Sequence, residues 1–210
     1  EKYCSDKTDE LRSLKEEQKN NADAGSKQEQ RMENALKNME SDISSLADVV
    51  EESSNDDVKV QAYRVRGDKA EALGDYREAI ECYWKWKDAL LKISGGKITV
   101  EVAESLAVLG DTYQEQGMYP ESMECLEKAL GVQLKELGEE HATVADTYSK
   151  LGWTCTQDGK HDKAMEYQEK GLSIRLKVHG GEDHVDVGES YYRLGWVYKC
   201  KGKYEEALAM

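Results

Sequence analysis

The chain has 210 residues, 43 acidic against 29 basic, and a formal net charge of −14, which disfavours nucleic-acid phosphates and anionic membrane surfaces as partners. No apolar run is long enough to insert in a membrane and no signal-peptide pattern opens the chain. Five scattered cysteines, an odd number, read poorly as a disulfide framework, and these features together point to the cytosol.

In chain order, residues 1–57 form a polar N-terminal segment in which Leu11 and Leu14 are the first strong aliphatics. Within it, Met32, Leu36, Met39, Ile43, Leu46 and Val50 alternate steps of four and three, the a/d pattern of a heptad helix at about 32–50. Such a stripe suits pairing with a second helix, from another copy or another protein. It equally suits an amphipathic helix folded back on its own chain. The stretch Glu51–Asp57 reads as a break or linker.

Residues 58–210 are repetitive. Gly67, Gly110, Gly152 and Gly195 are spaced by 43, 42 and 43 residues, and Gly74, Gly117, Gly159 and Gly202 each follow seven later. Ala79, Ser122, Ala164 and Ala207 come five after those. A period held over four units predicts stacked supersecondary units rather than one globular core. Each unit resolves into two helices. In Ala103–Gln116, Leu106, Leu109, Gly110 and Tyr113 share a face, and the glycine admits a close neighbour. Gly117 then supports the turn, and Pro120 stands near the start of the second helix. The last unit stops in mid-pattern at Met210, so the chain reads as a fragment.

The columns Leu106, Leu109-Gly110, Tyr113, Ser122 and Ala129, then Tyr148, Leu151-Gly152, Cys155, Ala164 and Gly171, resemble tetratricopeptide repeats. The first unit departs most, with Arg66 before Gly67 and Trp86 in the last small column. The long period, with His141-Ala142-Thr143-Val144-Ala145 and His184-Val185-Asp186-Val187-Gly188 opening units, resembles the repeats of kinesin light chains and nephrocystin-like proteins. The proline of that family's opening motif is missing both times. The resemblance implies an all-α fold: an N-terminal heptad helix followed by an α-solenoid of helix pairs, with first helices lining a concave groove.

That fold implies four groove columns. One holds Asp68, Asp111, Trp153 and Trp196; another holds Arg64, Ala107, Ser149 and Tyr192; a third holds Glu71, Gln114, Thr156 and Lys199; the last holds Gln61, Glu104, Asp146 and Glu189. The residues expected to bind protein are Asp68, Asp111, Gln114, Ser149, Trp153, Thr156, Tyr192, Trp196 and Lys199. The expected ligand is a peptide with basic and apolar side chains, anchored on indoles. The competing expectation for the tryptophans is packing against a neighbouring first helix. Kinesin light chains take aromatic peptides flanked by acids and use basic groove residues; these columns offer only Arg64 and Lys199. A lysine/asparagine clamp for a terminal carboxylate is absent from the matching positions.

No residue constellation points to catalysis, a cofactor or a metal. His141 and His184 occupy repeat junctions 43 residues apart and are expected to cap or pack. No close Cys/His set and no phosphate-binding glycine loop is present; Gly95-Gly96 and Gly180-Gly181 mark junctions. The expected function is a non-catalytic protein-binding adaptor. The alternatives are an assembly component using convex or end surfaces, and a regulatory region attached to an enzyme.

Overall fold

The structure, a computed structural model, describes residue 34, residues 55–181 and residues 184–209. The heptad positions Met32, Leu36, Met39, Ile43, Leu46 and Val50 lie outside the described residues. The described chain is helical, with no strand, and falls into two compact units, within residues 1–96 and 97–210.

The first unit contains α1 (Asp56–Leu73) and α2 (Tyr76–Ile93), which pack on each other as a hairpin. The Asn55 side chain accepts the Asp57 N–H at 2.9 Å, and Asp75 accepts the Glu78 N–H at 3.1 Å, so each helix starts on a side-chain cap. Tyr83 is fully buried against Gly67, where a Cβ would collide with its ring. Trp86 fills a column of small residues and is also buried.

The second unit contains α3 (Val100–Glu115), α4 (Tyr119–Leu137), α5 (Ala142–Gln157), α6 (His161–His179), α7 (Val185–Cys200) and α8 (Tyr204–Leu208). Helices α3/α4, α5/α6 and α7/α8 are hairpins. Helix α4 packs on α5, and α6 on α7, while α5 touches both α3 and α7. First helices therefore lie side by side, and second helices join one hairpin to the next. Val102, Leu106, Leu109, Leu126, Ala129, Val144, Leu151, Ala164, Val187, Leu194 and Val197 make the buried core. Polar contacts thread it: Thr147 donates to Gln133 at 2.7 Å, and Gln168 donates to the Ser149 carbonyl at 3.0 Å.

The two glycine columns have different physical causes. At Gly152 a Cβ would sit 2.6 Å from the Gln168 amide, so the first column is set by helix–helix approach. The second column makes the hairpin turn. Gly117 has φ +72, its N–H donates to Gln114 at 2.8 Å, and the Met118 N–H donates to Tyr113 at 2.9 Å. This is a Schellman closure, and it recurs at Gly74, Gly159 and Gly202. Gly117→Ala is therefore expected to lose about 1–2 kcal/mol, because the left-handed backbone strains any Cβ. A urea titration should show a lower midpoint with unchanged slope.

Candidate functional site: the first-helix face of the second unit

Helices α3, α5 and α7 place a row of aromatic and charged side chains on one face. Trp153 of α5 and Trp196 of α7 are both half-buried, with ring centroids 6.3 Å apart and planes tilted by 53°. That spacing lies in the range of attractive aromatic pairs. The Arg193 guanidinium sits 5.5 Å from the Trp153 ring centroid, and the Lys199 ammonium 4.7 Å from that of Trp196. Tyr192 is 67% exposed beside them. A cavity of about 600 Å³ opens on α7 and α8, bounded by Tyr191, Tyr192, Trp196 and Lys199 with Tyr204 and Leu208.

The carboxylates of this face are already matched within the unit. Lys150 of α5 donates to Asp111 of α3, and Arg193 grips Glu189 one turn before it at 2.6 and 2.9 Å. Asp146 accepts from Arg175 at 2.8 Å. A repeated rule emerges. The column of Asp111 and Trp153 meets, on the next first helix, the residue one place after the Ser149 and Tyr192 column: Lys150 beneath Asp111, Arg193 beneath Trp153.

Burial pushes the Asp111 carboxyl above the usual carboxylate range, while Lys150 and then Arg193 pull against it. A raised value means that ionising Asp111 costs the fold. Its contribution is complete below the ordinary range and fades as pH rises through the folded value. Carboxyl carbon NMR should place the Asp111 midpoint above that of an ordinary aspartate, and Lys150→Met should raise it further. A midpoint below the ordinary value would contradict this account.

The other expected positions divide. Gln114 is half-buried on α3. Ser149 and Thr156 are buried, at 3% and 5% exposure, and so are withdrawn from the surface that a ligand could touch. Ser149 faces α6, where its hydroxyl would lie 3.2 Å from a Cβ on Gly171. Thr156 donates back to the Gly152 carbonyl at 2.8 Å. In the first unit, Asp68 and Glu71 accept bonds from the Tyr83 hydroxyl at 2.8 and 3.1 Å. Burial, then the two carboxylates, push that phenol far above its usual range.

The junctions behave as capping sites. His141 Nδ1 accepts the Thr143 N–H, and His184 Nδ1 accepts the Asp186 N–H, both at 3.2 Å. Sequence reasoning did not find Arg175, which is buried between α5, α6 and α7. It also missed the approach of His179 to His184. The only sequence signal for Arg175 was an arginine where the preceding repeat has Gln133. Cys82, Cys125 and Cys155 are buried free thiols and Cys200 is exposed. Burial raises the Cys155 thiol, away from reactivity.

Residues 101–177 and 188–210 each match a family profile described as tetratricopeptide repeat. No curated protein sequence gives a significant match. Among solved structures, the fold is similar to BtubC (BKLC) from P. vanneervenii, at 21% identity and TM-score 0.70, over 99% of this chain and 85% of that one. It is also similar to a candidate kinesin light chain of Podosopora anserina with nearly identical TPR-like repeats. That match has 18% identity and TM-score 0.71, over 96% of this chain and 91% of that one. The apo form of RapI matches at 13% identity and TM-score 0.68, over 80% of this chain and 59% of its own. The profile matches fall on the hairpins α3/α4, α5/α6 and α7/α8, so residues 101–177 and 188–210 carry tetratricopeptide repeats, and the fold resembles kinesin-light-chain-like arrays.

Proposed function

We propose that this protein is a non-catalytic adaptor whose second unit holds a segment of another protein against Trp153 and Trp196. Tetratricopeptide arrays are protein–protein interaction modules; the peptide-binding mode is our reading. The observation that carries it is the indole pair, half-exposed on adjacent first helices and bordered by Arg193, Lys199 and Tyr192. Large, stiff aromatic surfaces of this kind anchor interfaces at low entropic cost. The ligand offers an apolar side chain to the indoles. The basic character expected from the sequence carries less weight, since Asp111, Asp146 and Glu189 are matched by Lys150, Arg175 and Arg193. Within the same unit, Gln114 of α3 extends the column reading as a secondary contact. The site of action proposed is the cytoplasm; no helix among the described residues is long and apolar enough to cross a membrane. A cytoskeletal link rests on fold likeness alone.

Affinity capture from the source cell with intact protein, followed by titration of the captured segment, tests the groove. Trp153→Ala with Trp196→Ala should weaken binding by about 2 kcal/mol, roughly thirtyfold, with the helical signal unchanged. Unchanged affinity would sink the groove reading. It would then favour assembly through convex or end surfaces without short-peptide recognition, the second reading. Pairing through Met32, Leu36, Met39, Ile43, Leu46 and Val50 is a separate proposal. Light scattering should show the mass falling to monomer when residues 1–57 are removed, and an unchanged mass would exclude self-pairing.

A further inference from the structure

Two junctions of the second unit can be compared position by position. At the first, Leu137 ends α4, His141 caps α5, and Thr143 supplies the capped N–H. At the second, His179 ends α6, His184 caps α7, and Asp186 supplies the capped N–H. One histidine is therefore enough to make the cap. His179 and Asp186 are additions that the cap does not need.

Those additions converge. His179 Nε2 lies 3.1 Å from Asp186 Oδ2, and His184 Nδ1 lies 3.5 Å from the same oxygen. The two imidazoles stack, with centroids 3.5 Å apart and planes 7° from parallel. One donor atom from each of the three residues lies within 4.8 Å of the others. A tetrahedral zinc ion with bonds of about 2.0–2.1 Å keeps its ligand atoms roughly 3.3 Å apart.

We propose that His179, His184 and Asp186 form a binding site for one divalent transition-metal ion of the zinc class, at the α6–α7 junction. Imidazole and carboxylate donors suit such ions over magnesium or calcium, which take mostly oxygen ligands. The ion enters between the rings, which rotate out of their stack so that both lone pairs point at it. It replaces the His179–Asp186 hydrogen bond and the Asp186 N–H cap. Water fills the remaining position. The side chains are 20%, 45% and 46% exposed, which leaves an entry path. The adjacent cations are compensated: Arg175 pairs with Asp146 at 2.8 Å, and Lys177 with Glu140 at 2.9 Å. Bound there, the ion ties the end of α6 to the start of α7.

Cobalt(II) is the probe, added to the untagged full chain, with zinc as competitor. The expected result is one ion per chain, a visible d–d spectrum without a thiolate charge-transfer band, and a higher melting temperature with zinc. His179→Gln and His184→Asn should each weaken binding at least about tenfold, the loss that even outer partners of metal ligands produce. Asparagine keeps an N-cap acceptor at position 184, so loss of the ligand is separated from loss of the helix start. His141→Asn, at the junction lacking the other two donors, should bind as the parent does. The proposal is overturned by a thiolate band, which would assign the ion to a cysteine such as the exposed Cys200. It is equally overturned by absence of binding at millimolar ion, or by both variants binding as tightly as the parent.

Discussion

Asp146→Ala is expected to cost about 3 kcal/mol, more than Arg175→Met, although Asp146 is the more exposed partner. The Arg175 side chain is 7% exposed and that of Asp146 is 54% exposed. Arg175 donates to Asp146 at 2.8 Å, to the Ser190 hydroxyl at 2.8 Å and to the Asp186 carbonyl at 3.0 Å. Removing Asp146 leaves a buried guanidinium with only neutral acceptors. Breaking a buried pair in this way costs roughly 3–5 kcal/mol, and the half-solvated carboxylate puts the value at the low end. Arg175→Met keeps the aliphatic bulk and releases Asp146 to water. The Asp186 carbonyl still accepts from Ser190 at 3.0 Å, so the loss should be about 1–2 kcal/mol. Urea unfolding of both variants decides the order; a larger loss in Arg175→Met would show that packing, not charge burial, governs the junction.

Gly110→Ala is expected to destabilise by about 2 kcal/mol, although alanine is the better helix former by about 1 kcal/mol. The added Cβ would lie 2.6 Å from Leu126 Cγ, 2.9 Å from its Cδ2 and 3.3 Å from the Ser122 carbonyl oxygen. Leu126 is fully buried and cannot swing away. Overpacking of this kind costs about 1–3 kcal/mol, and the backbone oxygen puts this site toward the upper part. Leu126→Ala alone should cost about 2–5 kcal/mol through the cavity it leaves. The two changes together should cost less than their sum by about 1 kcal/mol or more, because the new methyl enters the vacated space. Simple additivity would show that Gly110 and Leu126 do not share that space.

Much of the hairpin architecture is legible in the residues. Gly110 and Gly117 differ in role, yet both can be placed by period alone, since one must face a helix and the other must follow one. The histidine caps at 141 and 184 are readable from their place before an apolar run. The shared column of Trp153 and Trp196 is legible too, and the structure puts their rings 6.3 Å apart. Ser149 and Thr156 show the limit. Column counting places them toward the face, but a helix packed on both a partner and two neighbours has little open arc, and small side chains vanish within it. Lys150 and Arg193 show the converse. Their positions flank the columns chosen, and only the stagger of adjacent first helices brings them to Asp111 and Trp153.

The order of residues along the chain determined which side chains share a helix face, where each helix turns back, and that the hairpins of the second unit stack. These follow from helical period, capping and left-handed glycine, all of which act over a few residues. Tertiary structure alone decided which charges meet: Arg175 with Asp146, Lys150 with Asp111, His179 with His184. Such contacts depend on the distance and stagger between helices. Packing of whole hairpins sets those quantities, and no local pattern encodes them.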